Sequence, residues 1–230
     1  MAAEYHIMID AHEPIKDTGI RRTYPNMMTR EGVRGMEYNA WSDGNPPEHT
    51  TILPFTRGLA GPIDYTPGIF DLTFDKYKAK ERVHTTLAKQ LALYVILYSP
   101  LNMAADLPEN YLNKPAFQFI KEVPVNWDET LALESQIGEY VKIARRNQDN
   151  WYVGVITDEN PRTLEISLEF LKPGINYDVI IYSDGDNADY DKNPEAIKIE
   201  SLQVDRNSAL KVKMIKSGGA AITLKPVDNI

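Results

Sequence analysis

The spacing of hydrophobic and polar residues changes near residue 115. Before this point, short apolar runs alternate with loops rich in proline and glycine, and one run repeats its apolar residues at helical spacing. After residue 125, apolar and polar residues alternate. The mixture of helical spacing and short apolar runs predicts α/β structure for the first part. Because a period of two is typical of strands, the second part predicts an all-β domain.

Three helices are expected in the first part and at its boundary. Leucine and valine side chains repeat at helical spacing within residues 84–106, and Pro100 should bend or end that helix. A second helix is expected over residues 50–59, with an irregularity at Pro54. A short third helix is expected over residues 116–121, because Pro115 suits a first helical position, where no N–H is needed.

Short strands separated by turn signals follow residue 125. Eight strands at this spacing predict an antiparallel β-sandwich. One more strand is expected near the start, over residues 5–9. The eight later strands are expected over residues 130–136, 140–146, 151–157, 163–170, 177–182, 197–204, 210–215 and 221–224.

The first part resembles a few βα units and is too short for a closed barrel. A (β/α)₈ barrel takes ~250 residues, so 115 residues hold about three units. Such a piece would leave sheet edges unpaired. Either it folds in another way, or the rest of the barrel lies outside this sequence.

The composition of the chain excludes several classes of partner and site. The chain has 33 acidic and 25 basic residues, a net charge of −8, which argues against nucleic acid as the main partner. It has no cysteine, which excludes disulfides and thiolate metal sites. The most apolar run, residues 91–97, is far shorter than the ~20 residues needed to span a membrane. No signal peptide is visible, and the start at Met1 is typical of a cut piece.

Three carboxylates stand out as candidates for chemistry: Glu13, Glu31 and Glu37. Each lies beside a short apolar segment and is followed by proline, glycine or a polar turn, as catalytic residues at the ends of barrel strands are. Glycosidases need two carboxyl groups, and converging carboxylates also suit Ca²⁺. The alternative is that each is a solvated surface charge.

Long loops around these carboxylates are rich in aromatic, amide and proline residues, over residues 23–26, 41–49 and 61–68. Sugar sites place aromatic faces against C–H groups, and amides or carboxylates against hydroxyls. Ordinary loop packing explains the same composition. The loops therefore permit a sugar site without requiring one.

Several motifs in a fixed order resemble family 97 glycoside hydrolases. The resemblance extends over about 60 residues, which makes it more specific than any single short pattern. The motifs are HEPIKDTG (residues 12–19), RTYPN (22–26), TREGVRGMEYNAW (29–41), NPPEH (45–49), LPFTR (53–57) and GPIDYTPG (61–68).

The resemblance implies a fold, an activity and roles for particular residues. Residues 1–114 would be the last strands and helices of a catalytic (β/α)₈ barrel, and residues 115–230 the β-sandwich that closes the family's chain. Glu37 matches the general acid, Glu13 the base, Glu31 a calcium ligand and His12 a sugar contact. Glu13 and Glu37 would also approach the Ca²⁺. Because retaining members tend to have glycine in place of Glu13, we expect an inverting, calcium-dependent α-glucosidase acting on oligosaccharides.

The resemblance also implies what this chain lacks. Family members have an N-terminal β-sandwich and earlier barrel strands, which supply most sugar contacts. We therefore expect the missing N-terminal part of the same enzyme to be a partner and the isolated chain to be inactive. The family implies a periplasmic location, and an exposed apolar face of a partial barrel makes self-association plausible.

Two other classes of function remain open. A non-catalytic carbohydrate-binding module would use Trp127, Trp151 and Tyr152 as stacking platforms, although these aromatics also suit a core. A structural sandwich would brace a barrel through Phe117, Phe119 and Trp127. The acidic loop at residues 189–194 mimics part of an EF-hand, but proline stands at its sixth position, where the motif needs glycine, so we interpret it as solvated.

Overall fold

The computed structural model describes residues 1–78 and 80–227. The first half contains short helices and a pair of strands joined by long loops. Its strands are β1 (Ile9–Ala11) and β2 (Met27–Arg30). The helices are α1 (Ile20–Thr23), α2 (His49–Ile52), α3 (Leu87–Ile96), α4 (Pro108–Tyr111) and α5 (Phe117–Glu122), with 3₁₀ turns at Ala2–Tyr5, Met36–Ala40, Leu53–Phe55 and Arg57–Ala60.

The second half is an antiparallel, sandwich-like β domain. Six strands form one sheet in the order β3-β4-β5-β10-β7-β8, and β6 pairs with β9 as a separate two-stranded sheet. The strands are β3 (Glu129–Ala132), β4 (Tyr140–Asn147), β5 (Asn150–Thr157), β6 (Arg162–Ser167), β7 (Tyr177–Asp184), β8 (Ile197–Val204), β9 (Ala209–Met214) and β10 (Gly219–Pro226). This arrangement confirms the expected all-β second half, and all eight strands lie within a few residues of their predicted positions.

Strand β5 is a continuous apolar run, because both of its faces are buried. Trp151, Val153 and Val155 point into a core shared with β6 and β9. Tyr152 and Ile156, on the opposite face, pack in a second core with α3 and the first half of the chain. Because successive side chains of a strand point to opposite faces, one strand contributes to both cores.

Helix α3 lies flat on the six-stranded sheet and is buried along its whole length. Its N-cap is Thr86, whose hydroxyl accepts a hydrogen bond from the Lys89 N–H. Gly154 on β5 permits the close approach, since a Cβ there would lie 2.8 Å from the Ala92 carbonyl oxygen. The helix therefore joins the two halves of the chain through one core.

Two expectations for the first half are wrong in detail. The strand expected over residues 5–9 is instead a 3₁₀ turn at Ala2–Tyr5 followed by β1, so the strand begins where the expected one ends. The helix expected over residues 50–59 ends after one turn at Ile52, and 3₁₀ turns follow. Pro54 is the physical reason, because it has no N–H to continue an α-helical ladder.

The barrel remnant expected over residues 1–114 is not confirmed, because the described residues contain one parallel strand pair where about three βα units were expected. Strands β1 and β2 are parallel and joined through α1, and this is the one parallel pair among residues 1–78 and 80–227. The boundary expected at residue 115 falls within a continuous core that joins Leu53, Leu91 and Phe119 to Val141. The division into two domains stays a prediction. Within the described ranges, no helix has the length and hydropathy to cross a membrane.

Candidate active site

The candidate residues gather where β1 and β2 end side by side. His12 and Glu13 follow β1, and Glu31 follows β2. The Glu31 N–H donates to the Ala11 carbonyl at 3.0 Å, so the pairing continues to the site. Parallel strands bring their carboxyl ends to the same edge, which is why residues 18 positions apart in sequence meet here.

Glu37 reaches the same place from the 3₁₀ turn Met36–Ala40. The turn is held by buried amides: Asn45 donates to the Arg34 and Gly35 carbonyls at 3.0 and 3.1 Å, and its own N–H donates to Asn39 Oδ1 at 2.8 Å. These amides come from the motif loops, and they place the turn that carries Glu37.

Three of the four predicted site residues converge. His12 Nδ1 lies 3.9 Å from Glu31 Oε2 and 4.0 Å from Glu37 Oε1. The Glu31 side chain is 12% exposed, whereas that of Glu37 is 63% exposed. The described residues therefore do not bury Glu37 as a general acid is usually buried.

Glu13 takes part through its backbone. Its N–H donates to Glu31 Oε2 at 3.2 Å, and its φ is 47°, in the left-handed region. The converging set of His12, Glu31 and Glu37 does not include the Glu13 carboxylate within the described part of the chain. A non-glycine residue in this conformation is strained, and such strain is common at functional sites.

Two acidic residues that the sequence did not single out lie behind His12. Asp64 Oδ2 is 2.6 Å from His12 Nε2, and Asp64 Oδ1 accepts the Thr66 hydroxyl at 2.8 Å. The Asp64 side chain is fully buried, and its N–H donates to the Arg30 carbonyl at 2.8 Å. Asp10, on β1, lies beside Asp64 and His12. An acidic residue between apolar Ile63 and Tyr65 was the signal that could have revealed Asp64.

Burial and charge shift the pKa values of this group. Burial, then a hydrogen bond and charge repulsion from Asp64, raise the pKa of Asp10 to about 6. Burial acts to lower the pKa of His12, but the hydrogen bond to Asp64 and the charge of Glu31 outweigh it, and the net pKa of His12 is raised. Both shifts favour the protonated form of the side chain relative to an ordinary aspartate and an ordinary histidine.

A cavity of about 380 Å³ opens over the converging side chains. Its walls combine His12, Glu31, Glu37 and Asp64 with the apolar side chains of Met36, Ile69, Phe74 and Met103. A concave pocket that joins a few convergent polar groups to apolar walls is typical of a small-ligand site. A larger cavity, of about 830 Å³, lies away from these carboxylates, near Tyr111 and Phe117.

The carboxylate oxygens at this site are the type of ligand that a hard cation prefers. Glu31 and Glu37 offer carboxylate oxygens, which Ca²⁺ prefers, but Ca²⁺ takes six to eight oxygen ligands and two carboxylates supply at most four. The imidazole of His12 is a poor calcium ligand and is already bonded to Asp64. The converging residues therefore fit part of a calcium shell.

Two of the three aromatic residues of the rival carbohydrate-binding interpretation lie in the core, and the third, Trp127, is partly buried against it. Trp151 is 3% exposed and Tyr152 is 5% exposed. Trp127 packs edge-on against Tyr152, with ring centroids 5.5 Å apart, and Phe119 is fully buried. The prediction that Trp151 and Tyr152 are stacking platforms is therefore wrong, because buried faces cannot contact a glycan.

In the acidic loop at residues 189–194, the Asp189 carboxylate accepts hydrogen bonds from the N–H groups of Asp191 and Lys192 at 2.9 Å each.

Two family models match this chain, and both describe one family. "Glycosyl-hydrolase 97 C-terminal, oligomerisation" matches residues 126–225, and "Glycoside hydrolase 97" matches residues 1–33. Together they cover more than half of the 230 residues, and the second includes His12, Glu13 and Glu31. These matches identify the chain as part of a glycoside hydrolase. The chain belongs to glycoside hydrolase family 97.

Among the similar proteins, one is named for its activity and another for its family. A retaining alpha-galactosidase from Bacteroides thetaiotaomicron is 37% identical over 98% of this chain and 35% of its own length. The structure of a family 97 enzyme from Pseudoalteromonas sp. strain K8 in complex with acarbose is 53% identical to this chain in sequence. The structure of a variant of that enzyme in complex with panose is 52% identical. Both structures cover 99% of this chain and 36% of their own, with TM-scores of 0.93.

The chain thus spans about a third of the length of the relatives that it matches. The specificity for α-glucosides and the inverting stereochemistry go beyond what these similarities establish.

Proposed function

We propose that the whole protein is an α-glucosidase that cleaves α-linked glucose oligosaccharides with inversion, and that this chain supplies its acid and its base. The identity of 52% and 53% to an enzyme solved with panose and acarbose carries this proposal. Panose is an α-linked glucose trisaccharide. Glu13, where retaining members tend to have glycine, supports inversion.

In the proposed reaction, Glu37 donates a proton to the glycosidic oxygen as the leaving group departs. Glu13 takes a proton from a water that attacks the anomeric carbon from the opposite face. An inverting pair needs ~6.5–9.5 Å between its carboxyl groups to leave room for this water. The exposure of the Glu37 side chain leaves its oxygens open to a substrate.

Ca²⁺ is the proposed cofactor, held by Glu13 and Glu31, with Glu37 beside it. When bound, it would supply positive charge that fixes a sugar hydroxyl and replaces solvent. His12 would contact the sugar through Nδ1, the ring nitrogen that faces Glu31 and Glu37.

The remaining barrel strands of the same enzyme are the proposed partner of this chain. The single parallel pair of β1 and β2 and the exposed side chain of Glu37 support this, because a longer barrel would pair the open edge and cover the acid. We place the enzyme in the periplasm and propose that it self-associates, as the description of the C-terminal family model suggests.

The proposal is tested with the full-length parent enzyme and the 230-residue chain side by side. We expect the parent to hydrolyse a chromogenic α-glucoside, to lose this activity with a calcium chelator, and to leave the matching α-galactoside intact. We expect the chain alone to be inactive. A parent that hydrolyses only the α-galactoside would overturn the proposed specificity.

The second candidate function is a retaining α-galactosidase. Its support is the name of the relative that is 37% identical. In that case Glu13 would not be the base, and a nucleophile from outside this chain would attack the sugar. The stereochemistry of the first product separates the two candidates.

A further inference from the structure

Three side chains form a cluster at the candidate site: Asp10, Asp64 and His12. One ligand atom of each lies within 4.8 Å of the others. The other ring nitrogen of His12, Nδ1, faces Glu31 and Glu37 at 3.9 and 4.0 Å. The sequence gives no role to Asp10 or Asp64.

Asp64 is built to hold the imidazole. An ionised carboxylate only accepts hydrogen bonds, so in the 2.6 Å contact the His12 Nε2–H donates to Asp64 Oδ2. The Thr66 hydroxyl occupies the other oxygen at 2.8 Å. A carboxylate that is fully buried and bonded at both oxygens has little freedom to turn, and so the ring that it holds has little freedom either.

Asp10 lacks a donor of its own. Both of its carboxylate oxygens are buried, and no hydrogen-bond donor among residues 1–78 and 80–227 reaches them. An ionised Asp10 would therefore repel the negative Asp64 and would have no hydrogen-bond donor at either oxygen, although the charge of His12 offsets part of this cost. A proton on Asp10 removes its negative charge and provides an O–H that can donate to Asp64.

We propose that Asp64 is a positioning residue for His12, and that a protonated Asp10 donates a hydrogen bond to Asp64 and keeps it in place. The chain of hydrogen bonds is Asp10 O–H to Asp64 carboxylate, and His12 Nε2–H to the same carboxylate. It fixes the ring so that Nδ1 stays on the cavity side. The part that Nδ1 plays in binding a sugar rests on the proposed function, whereas the arrangement itself does not.

Infrared spectroscopy tests the proton on Asp10 directly. At pH 5 an ordinary aspartate is largely ionised, whereas Asp10 and Asp184, whose pKa values are both raised to about 6, should contribute to a protonated carboxyl C=O band. The contribution of Asp10 is the part that its substitution removes. We expect this band to lose intensity in Asp10→Asn, which replaces the acid by a neutral group of the same shape. An unchanged band in a folded Asp10→Asn protein would overturn the proposed proton.

Nitrogen-15 NMR tests the positioning of His12. The chain has four histidines, so the His12 signals can be assigned by their loss in His12→Ala. We expect a resolved Nε2–H proton that exchanges slowly with water. This slow exchange should persist in Asp10→Asn, because the asparagine amide can donate to Asp64. In Asp10→Ala the proton should exchange roughly tenfold faster, a change of the size expected for the loss of one hydrogen bond to a charged group.

Asp64→Asn should shift the His12 ring signals and speed the same exchange. If that variant does not fold, the Asp10 pair still decides the proposal. Equal exchange in Asp10→Asn and Asp10→Ala, or an unprotonated Nε2 in the wild type, would contradict it. These measurements need no substrate, so an inactive parent enzyme would sink the proposed function and leave this result standing.

Discussion

Among single residues, Glu13 combines the position proposed for the base with backbone strain. Its φ of 47° is one that glycine adopts freely and that other L-residues avoid, at a cost of roughly 1–2 kcal/mol. Its N–H still serves the site by donating to Glu31. The retained strain points to a use for the side chain, because glycine would give the same backbone without it.

Replacing Glu13 by glycine should therefore separate stability from function. We expect Glu13→Gly to leave the free energy of unfolding of this chain unchanged or to raise it by up to about 1 kcal/mol. In the parent enzyme it should abolish turnover of an α-glucoside. Urea denaturation and the enzyme assay check the two halves, with Glu13→Ala as a control that keeps the strain. Full activity in the glycine variant would remove Glu13 as the base.

Lys89 is the other residue whose setting decides its chemistry. It is fully buried, and its amine donates to the Pro47 and Thr157 carbonyls at 2.8 Å each. Burial lowers its pKa to about 7, although nearby carboxylates such as Glu159 act to raise it. A neutral amine has two N–H groups, which match the two carbonyls.

Lys89→Met should cost about 2–4 kcal/mol in the free energy of unfolding, because it leaves two buried carbonyls without donors. The folded-state pKa of Lys89 lies below the 10.5 of an ordinary lysine, so the folded state binds fewer protons. The contribution of Lys89 to stability should then grow as pH rises from 7 toward 10. Urea titrations at pH 7 and about pH 9.5 should show a widening gap between wild type and variant. A gap that narrows would mean that Lys89 stays charged when buried.

At the scale of elements, the second half was predictable because each strand has a simple pattern. Strand β5 is buried on both faces, and turn residues bound every strand that the alternation predicts. The first half lacks such repetition: a single proline breaks the helix expected over residues 50–59, and loops carry the site. Family motifs located Glu31 and Glu37, but neither motif nor period reveals that Asp64 lies against His12 across 52 positions. Contacts of that kind depend on tertiary packing.

The packing of α3 on the sheet depends on Gly154. A Cβ at this position would lie 2.8 Å from the Ala92 carbonyl oxygen and 3.1 Å from Val95 Cβ. Gly154→Ala should therefore cost about 1–3 kcal/mol by forcing the helix and the sheet apart. Thermal or urea unfolding measures the cost. Gly174→Ala is the control, since a Cβ there meets nothing within 4 Å and the cost is that of its positive φ alone. Equal losses in both variants would show that the helix does not press on β5.

At the scale of the whole molecule, the two halves share one core. Residues of the first half, such as Leu72 and Leu91, belong to the same cluster as Val141 and Tyr182 of the sheet. This continuity supports a bracing role for the sandwich, as one of the rival interpretations held. The same core includes Met36 and Tyr65, which also line the cavity over Glu31 and Glu37.

The central claim is that Glu13 and Glu37 act as the base and acid of an inverting reaction. The most direct test follows the hydrolysis of an α-glucoside by the full-length parent with proton NMR and identifies the first sugar anomer released, before mutarotation. The account predicts the β-anomer of glucose, because water attacks opposite the leaving group. Release of the α-anomer would contradict it and would favour the retaining candidate.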